Sequence, residues 1–280
     1  MSENENPEIG QSILVRGIRT NYHDVGSGKP VLLIHGSGPG VTAWANWRGT
    51  IPALARHGRV LAPDMAGFGY TDRLEDGIYG LDRWIDHVFG FLDALNITSA
   101  SIVGNSFGGA LALAMAARRP ERVERLVLMG SVGVSFPITE GLDAVWGYTP
   151  SLENMQRIMQ YFAFDQSRLT PALASMRYEA SIRPGCSEAF AQMFPAPRQR
   201  WVEAMATAVE DIRALSHETL IVHGRDDQVI PPATSLALHE LIEKSQLHMF
   251  GRCGHWTQIE QAERFNRLVV EFLFNELKDS

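Results

Sequence analysis

Cysteine is scarce in this chain, and positive charge is not in excess. The 280 residues include 2 cysteines, Cys186 and Cys253, whose spacing does not fit a zinc site. So few cysteines in a chain of this length are typical of a reducing compartment, so we expect two free thiols. With 25 Lys and Arg against 32 Asp and Glu, the net charge is -7. This balance offers no basic surface for nucleic acid or an anionic membrane, and we expect neither as a partner.

Long hydrophobic runs are also lacking. The apolar stretch 110–117 lies inside a helical pattern and is far shorter than the roughly 18 residues of a membrane span. Residues 1–10 are acidic and polar, without the basic start and apolar segment of a secretory signal. We therefore expect a cytoplasmic protein, and its 45% hydrophobic residues suffice for a globular core.

Short apolar runs alternate with segments of helical period along most of the chain. The predicted strands are 31–34, 59–62, 101–103, 123–129, 220–222 and 246–250. The predicted helices are 44–56, 81–95, 106–118, 233–242 and 262–277. This alternation predicts an α/β fold, with a mostly parallel central sheet covered by helices on both faces.

Residues 136–205 break that rhythm, because they contain helical stretches but no convincing strand. Several prolines interrupt them: Pro150, Pro171, Pro184, Pro195 and Pro197. We interpret the segment as an inserted helical lid, so the core consists of residues 1–135 and 206–280.

Ser106 is the candidate nucleophile. The segment 104–109, GNSFGG, follows a predicted strand, opens a predicted helix and contains the pattern G-x-S-x-G. A sharp turn from strand to helix leaves no room for Cβ atoms beside the serine, which explains the glycines. The alternative is that Ser106 only caps its helix.

A serine nucleophile needs a base and an acid that orients the base, and in this architecture the acid precedes the histidine. Asp226 and Asp227 follow the strand 220–222, and we choose Asp227 because Asp226 fits better as a turn residue. His255 lies in a glycine-rich loop before the last helix and is the candidate base. The other histidines of this region lie in predicted strands or helices, where structural roles are expected: His223, His239 and His248.

Attack by serine on a carbonyl creates an oxyanion, which backbone N–H groups must stabilise. The N–H of Phe107, directly after the nucleophile, is one predicted donor. The second is expected from the loop 35–40, HGSGPG, which follows the first predicted strand. Ser37 and Gly36 are the two candidates there.

Several segments together resemble the meta-cleavage product hydrolases of the α/β-hydrolase superfamily. They are 35–40 (HGSGPG), 45–48 (ANWR), 104–109 (GNSFGG), 181–185 (SIRPG), 193–201 and 254–258 (GHWTQ). The resemblance covers nearly the whole chain. It implies hydrolysis of a carbon–carbon bond in a 2-hydroxy-6-oxohexa-2,4-dienoate, without cofactor or metal, by a homodimer or larger homo-oligomer.

The same resemblance assigns the substrate contacts. Arg183 would hold the carboxylate of this small substrate, Asn46 and Asn105 would donate to its carboxylate and 2-oxygen, and Trp256 would wall the pocket. Residue type alone would make Arg183 an exposed lid residue and the other three packing or turn residues.

The group on C6 of the substrate is left open by the sequence. Hydrogen, methyl or a small alkyl group each fits a pocket lined by apolar lid side chains, and our first choice is hydrogen, in 2-hydroxymuconate semialdehyde, which releases formate. A general carboxylesterase and a non-catalytic ligand-binding receptor on the same fold are the alternatives, and the intact Ser106, Asp227 and His255 argue against the receptor.

Overall fold

Eight strands form one central sheet in the computed structural model, which describes residues 6–275. The strands are β1 (Gln11–Val15), β2 (Ile18–Val25), β3 (Pro30–Ile34), β4 (Arg59–Pro63), β5 (Ala100–Asn105), β6 (Val123–Met129), β7 (Thr219–Gly224) and β8 (Ser245–Phe250). Their order across the sheet is β1-β2-β4-β3-β5-β6-β7-β8. The six strands from β3 to β8 are parallel, whereas β2 pairs antiparallel with both β1 and β4. The predicted α/β class and mostly parallel sheet are confirmed.

Helices pack on both faces of this sheet. They are α1 (Ala43–Trp47), α2 (Ile51–Leu54), α3 (Leu81–Ala94), α4 (Phe107–Arg118), α5 (Glu140–Trp146), α6 (Leu152–Met159), α7 (Pro171–Ser181), α8 (Cys186–Met193), α9 (Gln199–Ala204), α10 (Val209–Arg213), α11 (Ala233–Leu241), α12 (Thr257–Glu260) and α13 (Ala262–Phe274). On β3, Val31 and Leu33 pack with α1, α2 and α13, while Leu32 and Ile34 pack with α3 and α4. The side chains of a strand alternate between faces, so a fully apolar strand such as β3 can support both helix layers.

The hairpin of β1 and β2 was not predicted. Arg16 and Gly17 connect the two strands, and both have positive φ, 47° and 87°. A two-residue turn of this kind matches the twist of the strands, but its usual sequence is Asn-Gly or Asp-Gly. Arginine at the first position and the mostly exposed side chains of β1 explain why neither signal was recognised.

The predicted helix 44–56 is wrong in one respect, because the chain forms two short helices there. α1 ends at Trp47, and α2 begins at Ile51 with Pro52 in its first turn. Proline is tolerated in a first turn, whereas in the middle of a helix it removes a hydrogen bond and clashes with the preceding turn. The helix therefore ends and starts again around Gly49.

The segment interpreted as a lid, residues 136–205, contains α5 to α9 and no strand. Tyr148 Oη and Ser181 Oγ lie 2.9 Å apart and join the chain after α5 to the end of α7. No helix within residues 6–275 combines the length and the apolar character needed to cross a bilayer.

Cys186 and Cys253 are both buried and free, which confirms the predicted thiols. Burial raises the pKa of Cys253 to about 12, so its thiol carries no charge near neutral pH. Cys253 lies in the loop between β8 and α12 and is an apolar packing residue there.

Gly108→Ala tests how closely α4 approaches the sheet. A Cβ at Gly108 would lie 2.3 Å from the carbonyl oxygen of Ile34 in β3, and neither backbone can move without disturbing the sheet. We expect the free energy of unfolding of the variant to fall by about 3 kcal/mol or more, measured by urea or thermal unfolding. Gly49→Ala is the matched control, because a Cβ there meets no atom within 4 Å. Equal stability of the two variants would contradict the packing argument.

Candidate active site

Ser106 lies at the turn between β5 and α4 with φ 54° and ψ -113°, a conformation that side-chain-bearing residues rarely adopt. Gly104 makes this turn possible because it has no Cβ; a Cβ at this position would lie 2.3 Å from the carbonyl oxygen of Gly108. Only glycine fits at this approach, as the spacing of the motif predicts.

Hydrogen bonds to β6 and the loop behind it hold this strained residue. The N–H of Ser106 donates to the carbonyl of Met129 (2.9 Å), and the carbonyl of Ser106 accepts from the N–H of Val132 (3.2 Å). The N-terminus of α4 lies beside it, where the helix dipole and the N–H groups without partners within the helix favour negative charge. Phe107 supplies the first of these N–H groups.

Asp227 and His255 form a buried pair. His255 Nδ1 lies 2.7 Å from Asp227 Oδ2, and the other carboxylate oxygen accepts the N–H groups of Val229 (2.7 Å) and Ile230 (3.0 Å). Burial opposes ionisation of Asp227, but the charge of His255 and hydrogen bonds from His223 and His255 outweigh it and hold the Asp227 pKa well below its usual value. The carboxylate is thus an anion in a fixed orientation.

Asp226 has a different environment. Its Oδ2 accepts the N–H of Cys253 (3.3 Å) and lies 3.6 Å from the guanidinium of Arg225. The structure therefore places Asp227, rather than its neighbour, against His255.

Ser106 and His255 both line a cavity of about 330 Å³. Within residues 6–275 no hydrogen bond joins Ser106 Oγ to another protein group, and His255 Nδ1 is occupied by Asp227. The second ring nitrogen of His255 is thus the one left for Ser106. Hydrogen bonds of this kind are often long in ligand-free enzymes and shorten when substrate binds.

The predicted oxyanion loop follows β3 and also lines the cavity. The N–H of Gly36 donates to Asn46 Oδ1 (3.1 Å), so this group is already occupied. The hydroxyl of Ser37 accepts from Trp146 Nε1 of the lid (2.9 Å), an interaction that leaves its backbone N–H available. Of the two candidates in this loop, the geometry favours Ser37 over Gly36.

Asp64, at the end of β4, stabilises the chain around this loop. Its carboxylate accepts the N–H groups of Ala43 (2.6 Å) and Tyr70 (2.8 Å) and the side-chain amide of Asn21 (2.8 Å). Burial raises the Asp64 pKa to about 6, and the three donors counteract that effect by stabilising the anion.

Three of the four predicted substrate contacts line the cavity: Asn46, Asn105 and Trp256. The amide nitrogen of Asn46 is buried and has no partner among the described residues, so it can donate to a ligand. Trp256 stacks on Phe162 of the lid, with ring centres 5.1 Å apart and planes 4° apart.

Arg183, the fourth predicted contact, is not among the residues that line this cavity. It lies beyond α7, where its guanidinium bonds Glu8 (3.2 Å) and the carbonyls of Ala180 and Gly40 and packs over the ring of Tyr70 (4.2 Å). Each of its three nitrogens therefore donates to one protein group.

Arg177, which we had not predicted, lines the cavity instead. Leu173, Met176 and Ala180 line it too, so α7 presents positions i, i+3, i+4 and i+7 to this site. Applied to the lid, that helical period would have identified the face.

Two further residues surround the acid–base pair and were missed. A Cβ at Gly130, whose φ is 50°, would lie 3.3 Å from Asp227 Oδ2 and 3.4 Å from His255 Nδ1. His223, expected to be structural, has Nε2 3.1 Å from Asp227 Oδ2. Within residues 6–275 no group of three or more His, Cys, Asp or Glu side chains is arranged to bind a metal.

Asp227→Asn distinguishes the two neighbouring acids. The amide would present an N–H where His255 needs an acceptor, so we expect a loss of roughly 10³- to 10⁴-fold in turnover of a 4-nitrophenyl ester. Asp226→Asn is the control and should retain activity within about threefold, since surface substitutions rarely matter. The reverse ranking would transfer the role to Asp226.

Comparison with known proteins agrees with this geometry. Residues 29–262 match the family model described as the alpha/beta hydrolase fold. The chain is 63% identical over 270 residues to a 2-hydroxy-6-oxo-2,4-heptadienoate hydrolase of Pseudomonas putida (strain F1), covering 96% of this chain and 98% of the relative. It is also 63% identical over 267 residues to a 2-hydroxymuconate semialdehyde hydrolase of Pseudomonas sp. (strain CF600), covering 95% and 94%.

Solved structures give the same result. A meta-cleavage product hydrolase from Pseudomonas fluorescens IP01, solved as a serine-to-alanine variant complexed with acetates, superposes with a TM-score of 0.94 at 64% identity, covering 95% of this chain and 98% of that one. The chain therefore belongs to the α/β-hydrolase fold family and, within it, to the meta-cleavage product hydrolases.

Proposed function

We propose that this enzyme hydrolyses the C5–C6 bond of 2-hydroxymuconate semialdehyde in aromatic hydrocarbon degradation. Water adds across the bond: C5 gains a hydrogen to give 2-hydroxypenta-2,4-dienoate, and C6 gains a hydroxyl to give formic acid. The observation that carries the proposal is a single cavity lined by Ser106, by Arg177 and by His255, whose ring is bonded to Asp227 behind it. A serine nucleophile and a carboxylate-binding cation are what this substrate needs.

Each step of the proposed reaction is assigned to particular residues of the active site. His255, with Ser106, moves the proton that converts the dienol to its keto form, after which the five-carbon fragment can leave as a stabilised enol. Ser106 attacks the C6 carbonyl, and His255 takes the hydroxyl proton. The N–H groups of Ser37 and Phe107 stabilise the oxyanion, and water then releases the acyl group from Ser106.

Arg177 is our candidate for the substrate carboxylate, in place of Arg183. Burial lowers the Arg177 pKa from its usual value, yet a guanidinium stays charged in proteins. No acidic side chain of residues 6–275 lies within ion-pair distance of it, whereas Arg183 is paired with Glu8. Glu8, Arg48 and Arg168 line the same cavity, and the charge of Glu8 partly offsets the effect of burial on the Arg177 pKa. Because no carboxylate of the described residues is bonded to Arg177, its guanidinium can bind a bidentate carboxylate, and Asn46 lies beside the same cavity.

The substituent on C6 is small in this proposal. The two relatives at 63% identity are named for substrates with hydrogen and with methyl at C6, so the methyl compound is the second candidate. Leu142, Val145, Phe162 and Val229 supply apolar surface to the cavity, and the stacking of Phe162 on Trp256 restricts the movement that a larger group would require.

We also propose a cytoplasmic location, which the two free, buried thiols support. The predicted partner, a small molecule that carries a carboxylate, is the substrate proposed above. The homo-oligomer stays a prediction, which sedimentation or light scattering of the purified protein would test.

Ser106→Ala tests the reaction itself. Mixed with 2-hydroxymuconate semialdehyde, the yellow ring-fission product, the unmodified protein should bleach it, because cleavage destroys the dienolate chromophore, and the variant should be slower by about 10³-fold or more. Near-normal bleaching by Ser106→Ala would contradict the role of Ser106 as nucleophile.

The preference for the group on C6 can be measured in the same assay. The compounds with hydrogen, methyl, isopropyl and phenyl at C6 should give falling kcat/KM in that order. A preference for the phenyl compound would contradict the proposed substrate.

Arg177→Ala tests the carboxylate site. We expect kcat/KM for the ring-fission product to fall roughly 30- to 100-fold, since a charge-assisted bidentate contact is lost. Hydrolysis of a neutral 4-nitrophenyl ester should change by less than about threefold. Arg183→Ala serves as the comparison: losing its contacts to Glu8 and Tyr70 should lower the melting temperature and affect both substrates equally. The opposite assignment of the two arginines would follow if only Arg183→Ala discriminated between substrates.

A further inference from the structure

His223 contacts the same carboxylate oxygen of Asp227 as His255 does. It is the penultimate residue of β7 and is fully buried. Its Nε2 lies 3.1 Å from Asp227 Oδ2 and 3.0 Å from the carbonyl oxygen of Ile230, and its Nδ1 lies 2.6 Å from Ser235 Oγ in α11.

These contacts determine which ring nitrogen of His223 carries the proton. Nε2 faces two groups that only accept hydrogen bonds, a carboxylate and a carbonyl, so it must be protonated. Nδ1 can then accept from the hydroxyl of Ser235, which is also buried. A neutral imidazole satisfies every partner, and Ser235 selects its tautomer.

The carboxylate of Asp227 is consequently shared. Oδ2 accepts from His255 (2.7 Å) and from His223 (3.1 Å), while Oδ1 accepts two backbone N–H groups. The bond from His223 fixes the plane of the carboxylate so that Oδ2 faces His255. It also takes up part of the negative charge that would otherwise act on His255.

We propose that His223 is a positioning residue of this active site: locked in one tautomer by Ser235, it orients Asp227 and limits how strongly Asp227 stabilises the protonated form of His255. The inference rests on the proposed function, because it assumes that Asp227 orients the catalytic base. It resembles the way a bonded neighbour of a metal-binding histidine sets that ligand's tautomer and basicity.

Other ionisable groups lie around the same carboxylate. The loop between β8 and α12 brings Cys253 and His255 close to it, and the charges of Asp226, Asp227 and Glu260 all act on Cys253. Cys253 is neutral near pH 7, since burial raises its pKa to about 12. The charged groups to be considered in a pH profile are therefore Asp226, Asp227, His255 and Glu260.

His223→Phe removes the donor and keeps a ring of similar size. Without that donor, more of the negative charge of Asp227 acts on His255 and favours its protonated form. We expect the acid limb of kcat/KM for the ring-fission product to move up by about one pH unit, with at least about tenfold lower kcat/KM at pH 7. His223→Gln retains an N–H donor and should recover activity to within about threefold, with the limb near its original position.

Two further variants separate this role from simple stability. Ser235→Ala removes the group that selects the tautomer and should shift the acid limb in the same direction by a smaller amount, which keeps the inference testable if the Phe variant does not fold. His217→Phe removes a buried imidazole at the opposite end of β7, where His217 Nε2 lies 3.0 Å from the carbonyl of Pro120, and should alter melting temperature without moving the limb.

These experiments distinguish a failure of the proposed function from a failure of the role of His223. If Ser106→Ala or Asp227→Asn keeps full activity, the proposed function fails. If those variants lose activity while His223→Phe and Ser235→Ala keep the unmodified pH profile, only the role of His223 is overturned. A limb that moves equally in His223→Phe and His223→Gln also overturns it, because the retained donor would then have no effect.

Discussion

Asp227 carries its negative charge in a place where burial opposes ionisation, and hydrogen-bond donors on all sides compensate that cost. Two donors are backbone N–H groups of the turn that follows it, and two are imidazoles, His255 and His223. A buried anion without such partners would take up a proton instead. Because the anion persists, His255 has a fixed tautomer and a fixed direction in the cavity that it lines together with Ser106.

The parallel sheet brings these distant residues together. Ser106 follows β5, Asp227 follows β7 and His255 follows β8, and the carboxyl ends of parallel strands meet at one edge of a sheet. The strand between them, β6, contributes the carbonyl of Met129 that holds Ser106 and leads into Gly130, whose missing side chain leaves space for the acid–base pair. The parallel arrangement of β5, β7 and β8 thus brings Ser106 and His255 to one cavity although they lie more than a hundred residues apart in the sequence.

Residues of this site that lie in local sequence motifs could be predicted. Residues whose environment depends on contacts between distant parts of the chain could not. Ser106 was recognisable because its turn demands glycines at fixed positions, and Asp227 and His255 because chain order and strand ends limit the choice. The sequence did not point to Arg177, since a single sequence does not show which arginine has partners: Glu8 and Tyr70, each more than a hundred residues from Arg183, contact Arg183. His223 was missed for the same reason, because its contact with Asp227 depends on the turn after β7.

The segment interpreted as a lid also contacts the loop that follows β3. Trp146 of α5 donates to the hydroxyl of Ser37, and its ring stacks on Phe194 with centres 4.3 Å apart. The loop that supplies a predicted oxyanion donor is therefore attached to the lid as well as to the sheet. A substrate whose C6 group displaced α5 would pull on Ser37 through this bond, so a poor fit at C6 would weaken stabilisation of the oxyanion as well as binding. In this arrangement, the proposed selectivity for a small C6 group would be expressed in the chemical step, where binding interactions affect turnover most.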